Sequence, residues 1–201
     1  MKIRFLAVGA ACAAMVAHAA WADGPVKIGV LTDQSSLYSD ATGKGFVTAA
    51  QMAAEDFGGK VLGQPVEIVS ADHQNKPDVG TGIANKWFDT DGVDAIADVP
   101  TSSVALAVET VSRNKHKIAL FSGTASSDIT GKFCSPYAVH WTYDTYTLEH
   151  VTGGAMVKAG GDSWFFLTAD YAFGHALERD TAAVVTAAGG KVVGHALVPL
   201  N

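Results

Sequence analysis

Apolar residues in this chain fall into short unbroken blocks, separated by stretches where they recur every three or four positions. Val26–Thr32 is apolar at nearly every position, the pattern of a strand covered on both faces. Phe46, Val47, Ala50, Ala53, Ala54 and Phe57 then share one helical face, and Gly58-Gly59 stop that helix. Gly63-Gln64-Pro65 turns the chain into a strand at Val66–Ala71, and Pro77 opens a helix to about Thr90. Ala95–Val99 is the next strand. It breaks at Pro100 and resumes with Val104, Ala107, Val108 and Val111 at helical spacing, to about Asn114. Lys117–Phe121 and Tyr137–Trp141 are further strands. Residues 26–141 therefore alternate strictly between strand and helix, which predicts an α/β fold with a parallel sheet and helices on both faces.

A second unit begins near Tyr143. A helix is expected over Thr145–Ala159, a strand over Ser163–Thr168, a helix to Ala188 and a strand over Lys191–Val198. Two strands and two helices make a poor core by themselves. The reading is thus a first lobe over residues 23–142 and, over 143–201, the start of a second lobe that looks truncated.

Charge and composition narrow the setting. Lys2 and Arg4, an apolar run over Phe5–Val16 and the small-residue sites Ala17-His18-Ala19 and Ala20-Trp21-Ala22 read as a signal peptide over residues 1–22, with cleavage favoured after Ala22 over Ala19. Its removal takes away two cations and no acid, moving the net charge from −6 to −8. The chain has no basic patch, which argues against nucleic acid as a partner. No second apolar stretch reaches membrane length, so an exported, periplasmic product with no stable membrane insertion is expected. Cys134 is the one cysteine outside the leader. It reads as a buried thiol or as one paired outside these residues.

In such sheets ligands sit beyond the carboxyl ends of the strands. Three polar turns lie there: Ser35-Ser36-Leu37-Tyr38, Thr101-Ser102-Ser103, and Ser122 to Asp128. The strand–Pro–Thr–Ser–Ser–helix junction leaves the first helical N–H groups free for an anion such as a carboxylate, or lets Thr101 or Ser102 simply cap the helix. N–H groups and hydroxyls at Ser102, Ser103, Thr124, Ala125 and Ser126 are the candidate carboxylate cradle. Tyr38, Trp141, Tyr143, Tyr171 and Phe173 are candidate aromatic walls, with ordinary packing as the alternative for each. No nucleophile elbow or phosphate loop occurs. Gly43-Lys44-Gly45 lacks the third glycine of a dinucleotide fingerprint, and close helix–sheet packing is its expected role. The histidines show no metal-ligand spacing. No cofactor, metal or catalytic residue is therefore expected; Asp170 with His175 is the one acid–base candidate.

Val26 to Asp40, Phe57 to Asp72, Asp98 to Val108, Ser122 to Gly131 and Asp170 to Gly174 resemble the periplasmic substrate-binding proteins of ABC transporters, in the leucine/isoleucine/valine-binding branch. The resemblance runs through residues 23–201 in order. His140 to Asp144 and Asp170 to Gly174 resemble members that take up aromatic or other carboxylates. The resemblance implies two Rossmann-like lobes closing on a ligand, with only the first crossover between them, near Tyr143, present here. It implies that Ser102, Ser103, Thr124 and Ala125 hold the ligand carboxylate and that Tyr171 closes over the other side. It also implies a receptor, monomeric when complete, that hands a small carboxylate to an ABC permease. A ligand-sensing domain of a regulator and, more distantly, an exported hydrolase are the alternatives. Ser36 departs from the family, which usually has glycine there.

Overall fold

A computed structural model of the chain describes residues 24–200; the leader reading at 1–22 lies outside them. The first lobe runs β1 (Val26–Thr32), α1 (Gly43–Asp56), β2 (Lys60–Val61), β3 (Gln64–Asp72), α2 (Pro77–Lys86), β4 (Ala95–Asp98), α3 (Ser102–Lys115), β5 (Ile118–Phe121) and β6 (Ala138–His140). The second runs α4 (Thr145–Lys158), β7 (Ser163–Ala169), α5 (Ala172–Ala187) and β8 (Lys191–Val198). Pro77 stands at the first turn of α2, as expected, where its missing N–H costs nothing.

The first sheet has the order β2-β3-β1-β4-β5-β6. Its strands pair in parallel, with β2 joining β3 as a short antiparallel edge. That two-residue strand was not foreseen, because it is too short for a period. The chain steps from β1 outward to β3, then crosses to the other side of β1 to lay down β4. The carboxyl ends of β1 and β4 therefore form the switch point where α/β sheets open a crevice.

One face of the sheet carries the core. Leu31, Ile96, Ala119 and Phe121 from the strands pack against Val104, Ala105 and Val108 of α3 and against Ala84 and the Trp87-Phe88 turn that ends α2. The other face is partly open. Phe46, Ala50, Ala53, Ala54 and Phe57, the predicted face of α1, line an apolar groove with Ile28, Ile68, Ala97, Leu120 and Trp141. Trp141 is 64 % exposed there. It therefore belongs to the sheet's flank and not to the crevice for which it was a candidate. The paired glycines in the first turn of α1 also divide. An added Cβ at Gly43, whose φ is +39°, would meet the Asp33 carbonyl at 3.3 Å, but one at Gly45 would meet nothing. Gly43 thus packs closely on the turn after β1, and neither glycine makes the helix–sheet contact expected of the pair. Cys134 is an exposed free thiol, which removes the buried reading.

In the second lobe β7 and β8 pair in parallel, and α4 packs on α5. Ala176 and Val185 are its buried apolar residues, whereas Phe165, Leu167, Val193 and Val198 stand in solvent.

Candidate functional site: the crevice at the carboxyl edge of the first sheet

The site is built where β4 turns into α3. Asp98 and Val99 both adopt left-handed backbone, with φ of +79° and +56°. For a β-branched valine this conformation is strained, and it persists only where the surroundings hold it. Here Val99 is fully buried and its N–H donates to the Leu31 carbonyl at 3.0 Å. Thr101 stands at the N-cap of α3, yet its side chain makes no capping bond. The first helical bond runs from the Ala105 N–H to the Thr101 carbonyl. The N–H groups of Ser102, Ser103 and Val104 precede it, at the positive end of a 14-residue helix. The side-chain capping alternative is thus not realised.

The turn after β5 lies against this junction. The hydroxyls of Ser102 and Thr124 are 2.9 Å apart, and the Ser126 N–H donates to the Ser102 oxygen at 3.3 Å. Ser126 Oγ accepts from the Asp128 N–H, so it caps the short 3-10 turn at Ser127–Ile129. His140 on β6 bonds the Thr124 carbonyl at 2.8 Å. Ser102, Thr124 and Ser126 are buried and knit the two turns together. Ala125 is buried beside them, and its carbonyl accepts from the Thr145 N–H at the start of α4.

The turn after β1 is organised by Asp33. Its carboxylate accepts from the Ser36 N–H (2.9 Å), the Ser36 hydroxyl (2.6 Å) and the Tyr38 N–H (2.9 Å). Burial works to raise its pKa, but these bonds outweigh it and hold the group below the usual carboxylate range. Ser36 therefore does what a glycine could not: its hydroxyl locks the loop to Asp33. Asp72, at the end of β3, accepts from the Gln34 and Gln74 N–H groups and the Ser35 hydroxyl. Burial pushes its neighbour His73 below the usual histidine value, and His73 Nδ1 accepts from the Asn75 N–H, which fixes the neutral tautomer.

The second lobe faces these turns. The hydroxyls of Tyr38 and Tyr171 are 2.6 Å apart. Burial first, then this bond, pushes the Tyr171 phenol well above its ordinary pKa, and Tyr143 adds to the shift. Phe173 packs on Tyr171 with ring centroids 5.9 Å apart. The Ala172 N–H donates to Ser103 Oγ at 3.2 Å. Farther along α5, Asp180 accepts from Thr145 Oγ1 (2.6 Å) and Ser127 Oγ (2.7 Å), while Arg179 pairs with Asp128 and Asp180 at 2.9 Å.

The structure thus joins Tyr38 to Tyr171, ties Ser102 to Thr124 and Ser126, and sets Ser103 against Ala172; Ala125 is buried beside them, Phe173 packs on Tyr171, Tyr143 is largely exposed, and Ser126 is tied up in capping. Asp170 and His175 do meet, at 2.9 Å, but each is half exposed. Among the described residues no hydroxyl or thiol is hydrogen-bonded to that histidine. No group of three or more potential metal ligands occurs among the described residues. Sequence reasoning missed Asp33, Asp98 and the Arg179–Asp180 pair. Asp33 carried a signal, since an aspartate at a turn can accept from a backbone N–H three residues on, as at a helix N-cap. Asp98 carried one too, as an acid closing an apolar strand.

Comparison with known proteins accounts for this arrangement. The sequence profile of the family described as "Periplasmic binding protein" matches residues 25–201. No curated protein sequence matches the chain. Among solved structures, a periplasmic binding protein from Burkholderia mallei superposes with a TM-score of 0.85 at 49% identity, over 88% of this chain and 47% of that one. A branched chain amino acid ABC transporter periplasmic ligand-binding protein from Burkholderia xenovorans gives 0.74 at 43%, over 88% and 47%. A solute binding protein of an ABC transporter from Rhodopseudomonas palustris, in complex with 3,4-dihydroxy benzoic acid, gives 0.78 at 26%, over 88% and 48%. The chain spans about half the length of each. The profile match over nearly the whole described chain, with a two-lobed crevice at the sheet's switch point, makes this chain a member of the periplasmic binding protein family.

Proposed function

We propose that the protein is a non-catalytic solute receptor of an ABC importer, and that its ligand is a small aromatic carboxylate. The observation that carries this reading is the uncapped N-terminus of α3, joined to a second hydroxyl-bearing turn and faced by Tyr171 and Phe173. Free N–H groups at a helix start suit a carboxylate, and aromatic rings suit a flat apolar body. Four of the acids around the crevice already have partners, whereas Asp98 has none. Asp33 and Asp72 are filled by loop donors, Asp180 by Thr145, Ser127 and Arg179, and Asp170 by His175. A relative that holds a dihydroxybenzoic acid adds support.

In this reading the ligand sits between the lobes, bridges them as Tyr38–Tyr171 and Ser103–Ala172 do here, and the closed form is what a permease recognises. The family name supports a periplasmic location, and no helix among the described residues is long and apolar enough to cross a membrane. A branched-chain amino acid is the second reading, favoured by the name of the relative from Burkholderia xenovorans.

A thermal-shift panel on the full-length protein decides between them. Benzoate and hydroxybenzoates at 100-fold their Kd should each add about 2.7 kcal/mol to stability. A response to leucine, isoleucine or valine alone supports the second reading. No response to any carboxylate overturns both.

A further inference from the structure

Asp98 is the crevice residue with no evident task. It is fully buried at the carboxyl end of β4, and neither of its side-chain oxygens has a hydrogen-bond partner among the described residues. Thr32 stands beside it, but its hydroxyl donates to Thr42 at 3.1 Å. A Cβ added at Gly123 would lie 2.6 Å from Asp98 Oδ1 and 3.1 Å from Pro100 Cα. The turn after β5 therefore crosses directly over the carboxyl, one residue before Thr124. The left-handed pair at 98–99 sets this position, so the acid lies behind both turns that form the cradle.

The surroundings hold no compensating charge. Thr32 and Leu31 on β1, Pro100 to Ser103 at the start of α3, and Phe121 to Thr124 at the end of β5 carry none. Asp33, Asp72 and His73 lie at the ends of β1 and β3, and Lys44 on the first turn of α1. None of these four contributes to the Asp98 pKa, which burial pushes up to about 7. An ionised carboxylate here would be buried without a partner. It would also repel an anion on the neighbouring N–H groups.

We propose that Asp98 is a proton-binding residue coupled to the ligand: an anion on the two turns favours the neutral acid, so ligand capture takes up a proton at Asp98 and weakens as the medium becomes alkaline. The proposal rests on the carboxylate reading above. By reciprocity, whatever the ligand does to the proton, the proton does to the ligand. Like charges held a few ångströms apart in a partly desolvated site change affinity by about tenfold.

The test is calorimetric titration of the full-length protein with 4-hydroxybenzoate at pH 6 and pH 8.5, in buffers of low and high ionisation enthalpy. The expected result is affinity about tenfold weaker at pH 8.5, with net proton uptake near pH 7–8. Asp98→Asn should bind with one affinity at both pH values and take up no proton. Should that variant not fold, the carboxyl ¹³C resonance of Asp98 in the wild-type protein reports the same coupling, and its midpoint should rise when 4-hydroxybenzoate is added. Binding without pH dependence or proton uptake overturns the coupling and leaves the carboxylate reading intact. So does an Asp98→Asn variant that keeps the wild-type pH dependence, or a ¹³C midpoint that does not move. Failure of 4-hydroxybenzoate and every other carboxylate to bind overturns the reading itself, and the coupling with it.

Discussion

The two lobes begin alike, as strands and helices in alternation, yet among the described residues the first encloses a large core and the second buries little beyond Ala176 and Val185. Leu31, Ile96, Val99, Val104, Val108 and Phe121 are all fully buried between six strands and two helices. In the second lobe β7 pairs with β8 along its length, with one register shift between Trp164 and Phe165, but Phe165 is 62 % exposed and Leu167 75 %. Strands thus pair in both lobes, while burial among the described residues, which carries most of the stabilisation, is concentrated in one. The largest expected effect breaks this contrast. Phe121→Ala should destabilise the chain by about 3–5 kcal/mol, because it removes a ring from a closed core. Phe165→Ala should change stability by no more than about 0.5 kcal/mol. Urea unfolding of the 201-residue chain checks both, and equal losses would mean that the second sheet is buried after all.

The lobes differ again in how they answer to pH. Glu109 on α3 is 1 % exposed with both oxygens unpartnered, and burial lifts its pKa to about 7, partly offset by Arg113. A group raised on folding contributes stability that is complete below its unfolded pKa, about 4.5, and is lost as pH rises through 7. Asp98 acts with the same sign over the same window. In the second lobe Glu178 has the opposite shift. It is held below its ordinary value by the Thr168 hydroxyl, against some burial, and further by His195. Its contribution is present above about pH 4.5 and lost as pH falls. Asp33 and Asp72 share that acid-side sign within the first lobe. Glu109→Gln should therefore raise stability by about 1–3 kcal/mol at pH 8 and leave it unchanged near pH 4. Glu178→Gln should lower the urea midpoint at pH 7 and not at pH 3. A Glu109→Gln gain that is the same at both pH values would show that its carboxyl does not titrate in this window.

What the sequence made legible follows from the same contrast. Alternation of apolar blocks placed the strands and helices, because strands buried on both faces and amphipathic helices have distinct periods. The three polar turns could be assigned to one sheet edge, since parallel strands put all their carboxyl ends together. Trp141 stayed open between crevice wall and packing because a strand-end residue points to either face, and one residue of register decides which. Asp98 escaped notice because its position depends on two left-handed residues that no propensity favours. The Tyr38–Tyr171 and Arg179–Asp128 contacts were invisible for another reason. They join residues far apart in sequence, and only the relative placement of two lobes creates them.

Between the lobes, the turn that separates Asp98 from the crevice can be tested by its own packing. Gly123→Ala would drive a methyl into Asp98 Oδ1 and against the Pro100 backbone, neither of which can swing away freely. A cost of about 1–3 kcal/mol is expected from the overpacking. Displacing Thr124 should also weaken 4-hydroxybenzoate binding by at least tenfold. Unchanged affinity in a folded Gly123→Ala protein would remove the β5 turn from the site. Gly45→Ala, placed where an added Cβ meets nothing, is the control for a glycine substitution as such.

The smallest effect probes the contact that makes two unequal lobes one crevice. Tyr171→Phe deletes one hydroxyl of the 2.6 Å Tyr38–Tyr171 pair and keeps the ring that packs on Phe173. A hydrogen bond of this kind is worth about 0.5–1.5 kcal/mol. The Tyr38 hydroxyl, on a loop fixed by Asp33, can turn to water when the lobes part. The loss should therefore appear in lobe separation more than in unfolding. Small-angle scattering of ligand-free full-length protein should show a larger radius of gyration for Tyr171→Phe than for wild type. Saturating 4-hydroxybenzoate should abolish the difference, because the ligand supplies closure of its own. Tyr38→Phe should behave identically, since either substitution removes the same bond. A variant that opens with one substitution and not the other would show that the remaining hydroxyl holds the lobes through a different partner.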